Sequence, residues 1–452
     1  MKSNRKTLRE LVASLLAVFL VLSVLPVSGL AQTETGQITV KASDPQGAVI
    51  PAATVTVKSV ERSQTLTSTT NDEGVATITN LQPGLYEIVV SASGFANYTQ
   101  RAQITAGAKL SIDASLAASG AGVVVDVVAG EGGVEVNTQT QELSNVVSAQ
   151  QVTELPTLTR NPYALVAISG NVSDADPSGR GTGFAINGQR AASTNILLDG
   201  GENVDTFTAT VGQSVPLDSV QEFRIITSNF SAEYGRATGG IVNVTTRSGT
   251  NDFHGTLFLF NRVDKLASND FDDNAQGLEK SHFVRNQFGY SVGGRIIRDK
   301  LFFFSSTEFI RVRSSANVTN WVPTPQFLNA VNARTRSAIG AFGTVSPLGR
   351  TLTRSQVSTL LNLGTGAFND LPAGLPVFGE VQYQVPADVG AGAPQNSYQT
   401  VGRIDWNASD KTQIYGRFAI EDQLFFDGSN ASSPFVGFNT GAETLNQNYL
   451  IN

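Results

Sequence analysis

Apolar and polar residues alternate over much of this chain with the period of two that marks β-strands. The cleanest run is 287–296. Phe288, Tyr290, Val292, Gly294 and Ile296 fall on one face, and Gln287, Gly289, Ser291, Gly293 and Arg295 fall on the other. A turn at 297–300 leads into the cluster Leu301, Phe302, Phe303 and Phe304. A second hairpin repeats the pattern with 400–406, a turn at 407–411, then 413–421. There Ile414, Gly416, Phe418 and Ile420 oppose Tyr415, Arg417, Ala419 and Glu421. Six such strands are predicted, over 253–262, 284–296, 301–311, 398–406, 412–421 and from about Asn446. Apolar-out, polar-in alternation over roughly ten residues, with tight turns on one side and long connections on the other, is the pattern of transmembrane β-barrel strands. A soluble two-sheet sandwich produces the same alternation strand by strand. The connection 314–397, rich in Pro and Gly, is expected to be a long outer loop with a short helix near 326–336.

Two other regions precede these strands. Residues 32–118 show short alternating runs (Ile38 and Val40; Val55 and Val57; Tyr86, Ile88 and Val90) between turn clusters at 44–47, 71–74 and 81–84. Strands at this spacing predict a small β-sandwich. Residues 133–250 are mixed in pattern. Ser148 with Gln151 predicts a capping box for a short helix ending at Leu155-Pro156, and Asn161-Pro162 opens a second helix with Gly170 past its end. Two β-branched strands follow at 223–227 and 241–246, joined through Glu233-Tyr234-Gly235-Arg236 and a Gly239-Gly240 hinge. Between these regions, 119–132 is rich in Gly, Ala and Val and predicts a flexible joint. The fold class is therefore mainly β: an N-terminal β-sandwich, an α+β domain at 133–250, and from 251 the first strands of an incomplete antiparallel transmembrane β-barrel.

Residues 1–31 carry the order of a secretory signal peptide. Lys2, Arg5, Lys6 and Arg9 precede the apolar run 11–25, and Gly29-Leu30-Ala31 offers a small-residue cleavage site. That run is shorter than the ~20 residues a spanning helix needs. No comparable apolar stretch follows, so membrane passage would fall to strands, which satisfy their backbone in lipid when closed into a barrel. Cysteine is absent, which excludes disulfides and thiolate metal sites. Net charge is -7, and the first 31 residues hold four basic groups and one acidic group, leaving -10 on the remainder. A chain this acidic lacks the basic footprint of a nucleic-acid binder.

Enzyme chemistry finds little support. His254 and His282 are the only histidines, and neither stands in an H-E-x-x-H arrangement or beside a plausible nucleophile. No catalytic, cofactor-binding or metal residue is assigned, and no cofactor is expected. The Gly-rich run 179–183 lacks the Gly-Lys-Ser/Thr of a phosphate loop and reads as a mobile surface loop. The acidic cluster 269–274 begins like a calcium loop, but Ala275 and Ser281 stand where Gly and Glu are required. A solvated outer loop is the expectation.

The stretch 217–262 resembles the end of the plug and the first barrel strand of TonB-dependent outer-membrane receptors, in particular the large Oar-like class with an extra N-terminal domain. The plug motifs match at Asn187, Gly188 and Arg190, a turn of the N/R-G-x-R type. They match again at Asp199-Gly200, which closes a strand, and at Glu233, Tyr234, Gly235, Arg236, Gly239 and Gly240. Pro83-Gly84-Leu85-Tyr86 followed by Gly94-Phe95 resembles the carboxypeptidase regulatory-like domain, a carbohydrate-binding-like fold. The peptidase name does not transfer; a structural or partner-docking module and a glycan binder are both open.

The resemblance implies an outer-membrane location in contact with outer-membrane lipid, with the N-terminal domain periplasmic. It implies ligand-gated, energy-coupled uptake of a small-molecule, saccharide or peptide ligand through a plugged barrel. It also implies a TonB-type inner-membrane energy transducer as partner, which captures an extended segment by strand addition. Val123, Val124, Val125, Asp126, Val127 and Val128 fit such a TonB box, and a plain linker or a first plug strand fits them equally. Plugged transporters close at ~22 strands, so six strands predict that 251–452 is the first part of a barrel and the sequence an N-terminal fragment. Outer-membrane adhesion, secretion or surface attachment without active transport is the alternative function.

Overall fold

A computed structural model of the chain describes residues 35–118, 126–128, 141–157, 159–173, 183–205, 207–232, 234–269, 271–275, 277–363, 370–387, 394–409, 412–435 and 437–452. The predicted signal peptide, Val123 to Val125, the run 179–182 and Glu233 lie outside the described residues.

Seven strands build the N-terminal region: β1 (Gly36–Ser43), β2 (Thr54–Ser59), β3 (Thr65–Thr69), β4 (Val75–Leu81), β5 (Gly84–Ser91), β6 (Tyr98–Ile104) and β7 (Lys109–Ser115). They form two sheets, β4-β1-β7 and β3-β2-β5-β6, and β8 (Asp126–Val128) extends the second sheet by pairing parallel to β6. The alternating residues predicted to be buried are buried. Ile38, Val40, Val55, Val57, Ile88 and Val90 meet between the sheets in one apolar core. At its edge the Tyr86 hydroxyl donates to the Gln82 carbonyl at 2.8 Å. Burial pushes this phenol up to about 12, with the nearby Arg62 charge opposing.

The central region holds one five-stranded sheet with the order β13-β12-β17-β16-β9. Its strands are β9 (Leu143–Ser148), β12 (Thr194–Leu198), β13 (Gly201–Glu202), β16 (Val220–Ser228) and β17 (Gly240–Thr246); between them lie the short β10 (Val172–Ser173), β11 (Ala185–Ile186), β14 (Val204–Asp205) and β15 (Thr210–Val211). Strands β12 and β17 run parallel, while β16 is antiparallel to both neighbours. The helix Ala149–Glu154 carries the predicted capping box from Ser148 and Gln151. Asn161 caps the second segment, but Pro162–Ile168 winds as a tighter 3-10 helix that stops at Ser169. Phe223, Ile225, Ile196, Leu198, Val242 and Val244 form the core of this region.

Six further strands form a wall: β18 (His254–Val263), β19 (Phe283–Ile297), β20 (Leu301–Pro323), β23 (Gln395–Ser409), β24 (Thr412–Phe425) and β25 (Ala442–Ile451), each antiparallel to the next in that order. Its faces are inverted relative to a soluble sheet. Phe288, Tyr290, Val292, Ile296, Ile404, Trp406, Ile414 and Phe418 are exposed, whereas Arg285, Gln287, Ser291, Glu308, Gln399, Arg403, Arg417 and Glu421 are buried. A water-soluble sandwich would bury the first set, so the wall is built for an apolar medium outside and a polar partner inside. Among the described residues, no helix is long and apolar enough to cross a membrane.

The connection 314–397 differs from the expected loop. Strand β20 continues to Pro323, and β22 (Pro376–Pro386) pairs with it from Ser315 to Pro323, while β21 (Thr351–Thr353) pairs with β22. The single predicted helix is two, Pro325–Ala330 and Ala333–Gly340, because Asn332 caps the second by accepting from the Thr335 amide. With Arg354–Leu360 they enclose a small core of Phe327, Val357 and Val377. Pro and Gly punctuate this lobe, but its scattered apolar residues suffice to fold it.

Because the folded Tyr86 phenol keeps its proton to about pH 12 while the unfolded one releases it near pH 10, the stability it contributes is present below pH 10 and lost between pH 10 and 12. Two pKa units correspond to about 3 kcal/mol. Urea denaturation of Tyr86→Phe should show about 1 kcal/mol lost at pH 8 and a shallower decline toward pH 12 than the parent.

Candidate functional site

Strand β12 ends at Asp199-Gly200, both with positive φ (51° and 78°), a reversal that turns the chain straight into β13. Glycine at the second position meets the steric demand of such a turn. The reversal directs the Asp199 carboxylate toward the wall. It accepts the Thr246 amide at 2.7 Å, the Thr246 hydroxyl at 2.9 Å and the Arg417 Nε at 2.9 Å, and Arg403 Nη1 lies 3.5 Å away. Arg417 also donates to the Leu198 carbonyl at 3.1 Å and to Asn448 Oδ1 at 2.8 Å. Arg403 donates to Asp405 at 2.8 Å and to the Thr246 carbonyl at 3.2 Å, and its guanidinium stacks 4.1 Å from the Tyr415 ring centre. Two carboxylates and two guanidiniums thus neutralise one another with their side chains buried.

Further contacts join the central region to the wall. Arg160 pairs with Asp218 at 2.5 Å and with wall residue Glu308 at 3.5 Å, and it lies 4.4 Å over the Phe258 ring. Gln287 reaches inward to donate to the Thr159 carbonyl at 2.8 Å and bonds Glu308 at 3.0 Å. Higher on β24, Glu421 accepts the Ser214 amide at 3.1 Å and Gln399 at 3.0 Å. Val401 and Ala419 supply the wall's apolar contribution to the central core. Between these contacts lies a crevice of about 300 Å³, lined by Thr159, Arg160, Tyr163, Gln399, Glu421 and Asn446. Burial raises the proton affinity of the Tyr163 phenol, opposed by the amide of Asn203 that donates to it at 3.0 Å, so a neutral hydroxyl faces this space.

The predicted motif residues divide between the two ends of the central sheet. Asn187-Gly188 forms a turn whose Asn187 amide donates to the Thr227 and Gly239 carbonyls, tying it to the end of β16 and the approach to β17. Gly240 opens β17 beside Thr194. The Asn195 side chain holds the Gly235 carbonyl at 3.1 Å, and Tyr234 packs against Leu197, Ile226 and Ile241. Arg236 makes an exposed pair with Glu202, and Arg190 is exposed at the start of the turn 191–193. Asp199-Gly200 lies at the opposite end. Asp126, Val127 and Val128 lie on the β6 edge of the sandwich, apart from the central sheet. His254 and His282 are exposed on or beside the wall strands, and among the described residues no cluster of His, Asp and Glu could hold a metal.

Three family models match in succession. Residues 37–117 match the carboxypeptidase regulatory-like domain, 136–241 the TonB-dependent receptor plug domain, and 245–452 an outer membrane beta barrel domain. The chain belongs to the TonB-dependent outer-membrane receptors. Its place is the outer membrane, with the central region as plug and the strand array as barrel wall. It is 26% identical over 277 residues to the TonB-dependent transporter Oar of Myxococcus xanthus, covering 59% of this chain and 25% of that protein. It is also similar to the outer membrane transporter YddB of Escherichia coli (13% identity, 68% of this chain and 36% of that chain, TM-score 0.40). A further similar structure is the siderophore receptor PirA of Acinetobacter baumannii (17% identity, 64% and 32%, TM-score 0.38). The chain spans about a quarter of the length of the curated relative it matches.

The Asp-Gly motif marks Asp199 of this receptor in the sequence but not its partners. Arg403, Asp405, Arg417 and Glu421 occupy the polar side of the alternation in their strands. That placement was the available signal: charges on a face that must be enclosed need counter-charges within it. Replacing Asp199 by Asn should leave two guanidiniums buried with one carboxylate and destabilise the plug–wall contact by about 3–5 kcal/mol. Limited proteolysis of the plug in membranes is the measurement. Asp199→Asn should be cut far faster than the parent, and pairing it with Arg417→Gln should recover part of the protection.

Proposed function

We propose that this receptor carries out ligand-gated, energy-coupled uptake, the plug shifting within the barrel to let a substrate pass. The observation that carries this reading is the chemistry of the plug–wall contact. Balanced charges and amide hydrogen bonds join the two around a polar crevice, with Val401 and Ala419 adding apolar contact from the wall strands. Polar contacts of this kind exchange their hydrogen bonds with water at modest net cost, unlike an apolar core. A plug held this way is stable at rest and separable under load. The curated relative is itself called a TonB-dependent transporter.

On this reading an inner-membrane transducer of the TonB type engages Val123 to Val128 by strand addition. Outer-membrane lipid surrounds the exposed aromatic and aliphatic face, and the ligand is a small molecule, saccharide or peptide. The N-terminal sandwich serves as a docking module or a glycan binder. The lobe carried by β20 and β22, with a core of Phe327, Val357 and Val377, favours a second reading in which the outer surface serves attachment without transport.

Deleting residues 123–128 from the receptor in its native membrane separates the two. Cells would be offered a panel of labelled ferric chelates, oligosaccharides and peptides. Under the uptake reading, whichever ligand the parent accumulates should still bind the variant at the surface while its accumulation falls at least tenfold. Equal accumulation by both would remove energy coupling through this segment.

A further inference from the structure

Strand β16 carries two charges in its first half, Glu222 and Arg224, on the face opposite Phe223 and Ile225. Both are only 4% exposed. What covers them is the N-terminal sandwich. The turn between β6 and β7 presents its backbone to them: the Ala106 amide donates to Glu222, and Arg224 donates to the Ala106 carbonyl at 3.1 Å while pairing with Glu142 at 2.8 Å. Gly107, at φ 65°, leaves room for this grip, since a Cβ there would run into the Arg224 guanidinium. A second turn, after β2, reaches the connection between β17 and β18. The Asn251 amide donates to the Glu61 carbonyl at 3.1 Å, and the Arg62 guanidinium bonds Ser248 and Gln82.

We propose that the sandwich is a detachable latch on the plug, gripping β16 and the end of β17 beside the start of the wall and so retaining the plug in the barrel. The two turns hold the plug through backbone groups and charged side chains, contacts that can be exchanged for water. Strand β6 runs directly into the gripping turn, and β8 lies hydrogen-bonded along β6. A pull on the linker therefore acts on the latch. This last step rests on the uptake reading; the docking does not.

Hydrogen exchange on the receptor in lipid nanodiscs tests the latch without any ligand. Gly107→Val should raise exchange at least tenfold in peptides covering 102–110 and 220–228, and severalfold in β12 and β17, while β1 and β5 stay protected. Arg62→Ala, on the other turn, should raise exchange at 245–252 and in β17. If the sandwich stays folded in either variant and the plug strands exchange as in the parent, the latch is overturned. Should Gly107→Val also expose β1 and β5, the sandwich has unfolded, and Arg62→Ala decides by the same criterion. A parent that shows the latch but accumulates no ligand in the linker-deletion assay would sink the uptake reading and leave the docking intact.

Discussion

A carboxylate withdrawn from water needs cationic partners close at hand, and Asp199 has two, Arg417 and Arg403, on adjacent strands of the wall. Much else follows from holding that geometry. The tight reversal at Asp199-Gly200 aims the carboxylate. The parallel pairing of β12 with β17 brings Thr246 to the same oxygen atoms. The register between β23 and β24 sets Arg403 directly opposite Arg417, with Asp405 two residues on to complete the charge balance. Desolvating any one of these ions alone would cost several kcal/mol, so the group is favourable only when complete.

The molecule uses two kinds of contact for two purposes. Inside the sandwich and inside the plug, interdigitated aliphatic side chains form separate cores. Between sandwich and plug, and between plug and wall, the contacts are chiefly ion pairs and hydrogen bonds. Apolar burial of about 25 cal/mol per Å² makes the first kind hard to open. The second kind trades protein partners for water with a small net change. Units that keep their shape while separating from one another are what this division produces.

The wall shows the same logic at its outer surface. A β-sheet that exposes Phe288, Val292 and Phe418 while burying Arg285, Arg403 and Arg417 is unstable in water and sensible in lipid. Beyond the membrane-facing part, β20 and β22 continue as a ribbon that carries three short helices around a core of their own. Within one strand the environment thus changes from lipid on one face and plug on the other to a small folded lobe.

The sequence alone determined the local β grammar. The alternation of 287–296 and 413–421, the buried positions of the sandwich, the Ser148 capping box and the Asp199-Gly200 turn all follow from side-chain periodicity and backbone preference, which act between near neighbours. It left open whether the apolar face of the wall was a core or a lipid surface, because the period is two in either case. Tertiary structure decided that by enclosing the polar face with the plug. It likewise decided the partners of Asp199, more than 200 positions away in Arg403 and Arg417, and the cover over Glu222 and Arg224. Such pairings depend on how strands are stacked and registered across the whole fold, and no local spacing encodes them.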